Sequence, residues 1–142
     1  MGLPIVRFFV PGYPKSTQTG TVHRYGGRLM PTRMNTDWSD TCKDVATLAM
    51  REYGLKPFTG PVSLGISIII PRLKNMKKAG PYPNGGPDMD NAIKGPKDAW
   101  QGVLYVKDKQ VKRMHNFEVV WAAENIPEQA RGGLAVSIYP LT

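Results

Sequence analysis

The chain is poor in the side chains from which most metal cages and redox centres are built. A single cysteine, Cys42, cannot close an internal disulfide, and with only His23 and His115 beside it no closed Cys/His zinc cage can be assembled. Cys42 falls in an apolar-periodic segment and reads as a packed core thiol rather than a nucleophile. The apolar run "VSLGISIII" is well short of the roughly 20 residues that a membrane helix needs. No charged n-region followed by an apolar stretch and a small-residue cleavage site opens the sequence, so the expectation is a cytoplasmic protein without a membrane partner. Acids are scarce too: 11 Asp and Glu face 19 Lys and Arg, a formal net charge of +8. Phosphate backbone is the partner that such a balance fits best, although a merely solvated basic surface gives the same count.

What is present suits a globular fold. At 142 residues, 41% hydrophobic and 21% charged, the chain can bury one core, and one domain spanning 1–142 is expected. "LPIVRFFV" predicts a first strand, stopped by the turn formers "PGYP". "TVHRYGGRLMPT" predicts a small hairpin turning at Gly26-Gly27, which would gather His23, Arg24, Arg28 and Arg33. From Thr36 to Tyr53, Trp38, Cys42, Val45, Leu48 and Ala49 recur at helical spacing, and Gly54 supplies a stop. In "PVSLGISIIIP", Val62, Leu64, Ile66, Ile68 and Ile70 alternate with Ser63, Gly65 and Ser67, as in a strand with one face in the core. "RLKNMKKAGPYPNGGP" holds Arg72, Lys74, Lys77 and Lys78, no acid, and repeated Pro and Gly, which predicts a basic loop. "KRMHNFEVVWAA" and "GLAVSIYPL" predict two further strands. The fold class expected from this order is α/β (α+β), a mixed sheet packed with a few helices.

Against this basic background, "GGPDMDNAIKGPKDAWQG" places Asp88, Asp90 and Asp98 close together, and "YVKDKQV" adds Asp108. Acids beside a surface that attracts a polyanion are a liability unless they hold something positive, and a divalent metal is the candidate. Asp88 and Asp90 share a face if extended and lie nearly opposite if helical. Pro87 favours extended backbone before it, and Asp90-Asn91 can cap a helix, so the pair is expected at a loop-to-helix junction. Mg²⁺ takes oxygen ligands, commonly one or two carboxylates with water and substrate phosphate. Helix capping, a solvated loop acid and a surface ladder through Lys94, four residues from both Asp90 and Asp98, are the alternatives. Gly95-Pro96 is expected to kink or restart this helix, because proline cannot donate to the carbonyl of Ala92.

"PDMDNAIKGPKDAWQGVLYVKDKQV", residues 87–111, resembles the signature of the RusA family of phage-type Holliday junction resolvases: P-D-x-D-N-x-x-K, then D-A-x, then D-x-Q-V. The order of strands and helix around it is similar to that family across most of the chain. The resemblance implies a homodimeric, Mg²⁺-dependent endodeoxyribonuclease, with Mn²⁺ as a substitute ion, that cuts four-way DNA junctions in recombination and repair. Its metal-binding aspartates fall on Asp88, Asp90 and Asp108, its functional lysine on Lys94, and Asp98 takes a supporting place. The chain departs from the family in carrying Lys107 where a second acid often precedes the third aspartate. Candidate DNA contacts are Arg24 and Arg28 in the hairpin, Arg72, Lys74, Lys77 and Lys78 in the basic loop, and Lys107, Lys109 and Lys112 around the last aspartate. His115, a lone histidine in a strand, is set aside as structural.

Two other functions remain open on sequence: a non-catalytic nucleic-acid-binding module whose acids are caps and salt bridges, and a metal nuclease acting on another DNA or RNA substrate. The basic loop gives a test of DNA contact. Replacing Lys77 and Lys78 by Gln is expected to weaken junction binding and to reduce the slope of log affinity against log salt by about one unit per lost phosphate contact. An unchanged slope in a salt titration would make the loop a solvated charge run.

Overall fold

A computed structural model describes residues 5–14, 22–25, 28–31, 33–72, 80–83 and 87–142. The strands are β1 (Val6–Pro11), β2 (Val22–Tyr25), β3 (Arg28–Pro31), β4 (Val62–Ile70), β5 (Val111–Trp121) and β6 (Gly133–Pro140), and the helices are α1 (Arg33–Tyr53) and α2 (Met89–Ala99). The strands of the main sheet lie in the order β1-β6-β4-β5, while β2 and β3 form a separate antiparallel ribbon. In the main sheet β6 is antiparallel to β1 and β4, and β5 runs parallel to β4. The α/β expectation, a mixed sheet with a few helices, describes this architecture. Residues 26 and 27, where the hairpin is expected to turn, and Lys74, Lys77 and Lys78 of the basic loop lie outside the described residues.

One face of the sheet builds the core. Val6 and Val10 of β1, the alternating Val62, Leu64, Ile66, Ile68 and Ile70 of β4, and Leu134, Val136 and Ile138 of β6 are buried in a single cluster. Over them pack Trp38, Cys42, Ala46, Ala49 and Met50 of α1. Leu48, expected on that stripe, is 56% exposed, because the buried run 38, 42, 46, 49–50 turns away from it. Cys42 is fully buried and burial pushes its thiol up to about 12, as befits a packing residue. Trp100, also fully buried, meets Phe8 edge to face at 5.8 Å and donates its indole N–H to the carbonyl of Cys42 at 3.0 Å. That bond ties the segment after α2 to the middle of α1.

β4 departs from expectation in one respect: both of its faces are covered. Ser63 is fully buried and Gly65 is buried on the side away from the helices. Neighbours on both edges explain part of this, and a side chain of β5 explains the rest. His115 lies over Gly65, with Nδ1 2.7 Å from the Ser63 hydroxyl and Nε2 2.7 Å from that of Ser137. Its ring also packs on Tyr139 at 4.8 Å. Desolvation, then the charges of Arg113 and Arg7, lower its pKa, so the neutral ring bridging two serines is the favoured form. A Cβ on residue 65 would collide with Nε2 of this ring. Gly65→Ala is therefore expected to expel His115 from its two hydrogen bonds and cost roughly 1–3 kcal/mol in urea unfolding. The Cβ would also lie 2.7 Å from the Ser137 hydroxyl oxygen, so part of the cost should vanish in a His115→Ala background; an equal cost in both backgrounds would refute the collision with His115.

Candidate active site

α2 belongs to the connection between the parallel strands β4 and β5. Its N-cap is Asp88, extended at φ −65° and ψ 135°, whose carbonyl accepts the Ala92 N–H at 2.9 Å. The cap thus sits two residues before the expected Asp90. The Asp88 side chain makes no capping bond, and Asp90 falls in the first helical turn, where the N-terminal partial charge favours a carboxylate. The expected restart at Gly95-Pro96 does not occur: α2 continues through Pro96 to Ala99. Both residues are buried, and the Pro96 carbonyl accepts the Trp100 N–H at 3.0 Å, so the ladder resumes past the one missing donor.

Because the helix is continuous, Asp90, Lys94 and Asp98 keep their four-residue spacing along one face. Together with Ile93 and Lys97 they line an open cleft of about 410 Å³, which Asp108 also lines from the 3₁₀ turn Asp108–Gln110 just before β5. Of the expected site residues, the fold brings Asp90, Lys94 and Asp108 together. Asp88 is exposed at the helix start and does not line this cleft. Asp98, expected only in a supporting place, does line it, and so does Lys97, which sequence reasoning passed over. His115 does not.

Two observations bear on what the cleft could hold. Among the described residues, Lys94 makes no ion pair with Asp90 or Asp98, so the salt-bridge ladder is not formed. Among the same residues, no three acidic, His or Cys side chains form a ready cage for a metal. Asp90 and Asp98 are two turns apart, about 12 Å along the helix, so one ion cannot take both. The donors nevertheless suit a hard cation that binds through one or two carboxylates and completes its shell with water and phosphate. They are all carboxylate oxygens, and the cleft opens to solvent.

The walls of the cleft are braced from beneath. Tyr105 is fully buried and its hydroxyl donates to the Lys97 carbonyl at 2.7 Å. Burial, then the nearby carboxylates of Asp108 and Asp98, raise its pKa, which keeps it a protonated donor and places both acids near its ring. The Asp108 backbone N–H is bound by the side chain of Gln101 at 3.0 Å.

Of the candidate DNA contacts, Lys107, Lys109 and Lys112 are exposed around the Asp108 turn, and the Arg72 guanidinium stacks over Trp121 at 5.2 Å. Arg24 and Arg28 lie on adjoining strands of the β2–β3 ribbon, with Tyr25 paired to Arg28. Removing the Tyr105 brace gives a direct check on the site's support. Tyr105→Phe leaves the Lys97 carbonyl without this donor and is expected to lower unfolding stability by about 0.5–1.5 kcal/mol; an unchanged urea midpoint would show that the bond carries no net weight.

A comparison with curated proteins gives no match to the chain. The model of the family described as Endodeoxyribonuclease RusA matches residues 11–130, which take in both helices, β2 to β5 and every residue lining the cleft. With that match over most of its length, and Asp90, Asp98 and Asp108 of its signature lining one cleft, the chain belongs to the RusA family of endodeoxyribonucleases, which resolve Holliday junctions.

Proposed function

We propose that this cleft is the hydrolytic centre of a divalent-metal-dependent resolvase, and that the chain, one endonuclease domain over 1–142, works in the cytoplasm as a homodimer with one cleft for each strand to be cut. The observation that carries the reading is the unbroken face of α2, which presents Asp90, Lys94 and Asp98 to the same open cleft as Asp108. Asp90 and Asp108 are the principal ligands for Mg²⁺, or Mn²⁺ in its place, and Asp88 joins them from the exposed helix start. Hydrolysis adds a water oxygen to phosphorus and breaks the bond to the leaving oxygen of the strand, which takes up a proton. A bound divalent ion supplies a more acidic water and an electrophilic grip on the phosphate oxygens.

The chain's own residues do the rest. Lys94, exposed and free of an ion pair to its helical neighbours, is available to bind a nonbridging oxygen and to stabilise charge that grows there in the transition state. Lys97 adds a second cation to the same wall. Arg72 and the lysines around Asp108 would grip phosphates outside the reacting one, fixing the strand without reading its sequence.

The deciding experiment incubates the chain with a synthetic four-way junction and with its linear arms, with and without Mg²⁺. Cleavage of the junction alone, dependent on the ion, is expected. Asp90→Asn should abolish cutting while junction binding stays intact or tightens, since one repulsive charge near phosphate has gone. Lys94→Ala should remain folded and cut roughly 100-fold or more slowly at saturating Mg²⁺ in single turnover. A fall of less than about fivefold would fit a surface lysine, whose pairings contribute only about 0.2–1 kcal/mol, and would remove Lys94 from the mechanism.

A further inference from the structure

Gln110, the glutamine of the D-x-Q-V signature, has no part in the chemistry described above, yet its side chain has no hydrogen-bonding capacity left over. Its Oε1 accepts the backbone N–H of Val106 at 2.9 Å and of Lys107 at 2.8 Å. Its Nε2 donates to the carbonyls of Phe58 at 2.8 Å and Gly60 at 2.9 Å. Two lone pairs and two N–H bonds are all that a primary amide offers. Freezing a glutamine costs up to about 2 kcal/mol of rotamer entropy, so a partly exposed one held at four points marks a backbone that must be kept in place. That backbone is the turn carrying Asp108. The turn's own repeat is short: the Gln110 N–H donates to the Lys107 carbonyl at 3.1 Å, and the Val111 N–H to that of Asp108.

Gln101 holds the same turn through Asp108 itself. Its Oε1 accepts the Asp108 N–H at 3.0 Å, while the Gln101 backbone N–H donates to the Asp98 carbonyl at 3.2 Å. One glutamine therefore ties the Asp108 turn to the segment leading into β4, and the other ties Asp108 itself to the end of α2. Both bonds stop at the backbone, which leaves the Asp108 carboxylate free to face the cleft.

Resting on the reading of Asp108 as a metal ligand, we infer that Gln110 and Gln101 are positioning residues that hold the Asp108 carboxylate in register with the α2 acids. Outer partners of this kind typically change metal affinity by about 10–100-fold when removed. The test reads ion binding and backbone order, without DNA or turnover. Mn²⁺ affinity is measured by electron paramagnetic resonance, and hydrogen exchange of the Val106, Lys107 and Asp108 amides by NMR.

Gln101→Ala removes one acceptor at the surface of a folded chain. It should speed exchange at Asp108 and weaken Mn²⁺ about 10-fold or more, with the urea midpoint little changed. Gln101→Glu keeps the acceptor and should restore slow exchange. Gln110→Ala should speed exchange at Val106 and Lys107 and weaken Mn²⁺ at least as much.

Asp108→Asn separates the two layers of argument. If it weakens Mn²⁺ while both alanine variants stay within about threefold of the unaltered chain, Asp108 is a ligand and the positioning role is wrong. If Asp108→Asn leaves Mn²⁺ affinity unchanged, the ligand reading falls and the positioning role falls with it.

Discussion

Parallel pairing of β4 with β5 is the constraint on which the site depends. Antiparallel neighbours can be joined by a tight turn, but parallel ones need a crossover of a dozen residues or more, usually through a helix. Here the crossover runs from Ile70 to Val111 and contains α2, the buried Trp100 and the Asp108 turn. The register pairs Val62 with Val111, so the last residues of the crossover return to the start of β4. Asp108 consequently stands where Gln110 can reach the carbonyls of Phe58 and Gly60. The acids of α2 and the acid before β5 share a cleft because both ends of one crossover are fastened to one core strand.

Charge placement follows from the same geometry. A chain of net charge +8 would ordinarily neutralise a lone aspartate with its neighbours, and Asp108 stands directly between Lys107 and Lys109. Both lysines are exposed, and neither lines the cleft. In solvent their attraction for the carboxylate is about 1 kcal/mol at 4 Å and is further weakened by salt. The lysine that stands where relatives often carry an acid therefore changes the approach to the cleft more than its interior, where Lys94 and Lys97 are the lining cations. A cationic rim around an acidic floor is what a phosphodiester and a divalent ion would each seek.

The strands and the long helix were legible because each satisfies one periodicity over many residues: β4 by alternation, α1 by the recurrence of Trp38, Cys42 and Ala49. The acids were legible through their spacing. Three things were not. The second covered face of β4 depends on His115 reaching across from β5, a contact between residues 50 apart in the chain that alternation cannot report. The continuity of α2 through Pro96 depends on burial of Gly95 and Pro96, whereas sequence offers only the missing N–H. The glutamines escaped because a polar side chain bonded to backbone leaves no pattern; for Gln110 the one signal was its place in D-x-Q-V, and for Gln101 there was none.

The cap at Asp88 has a consequence for how the first two acids can act. Residues two apart share a face only in extended backbone, and here the chain is extended at Asp88 and helical from Met89 onward. The motif is thereby split: Asp90 is fixed to the helix face that lines the cleft, and Asp88 is left exposed, its side chain without a capping bond. A carboxylate on a helix is redirected only about its own side-chain bonds, whereas one at the N-cap can also be redirected by rotation of its non-helical backbone. In the proposed donor set Asp90 and Asp108 would accordingly form the more rigid part and Asp88 the adjustable part. A hard ion with a strict octahedral shell would be better served by such a division than by three rigid acids, because Asp88 could adjust to the positions that water and phosphate require.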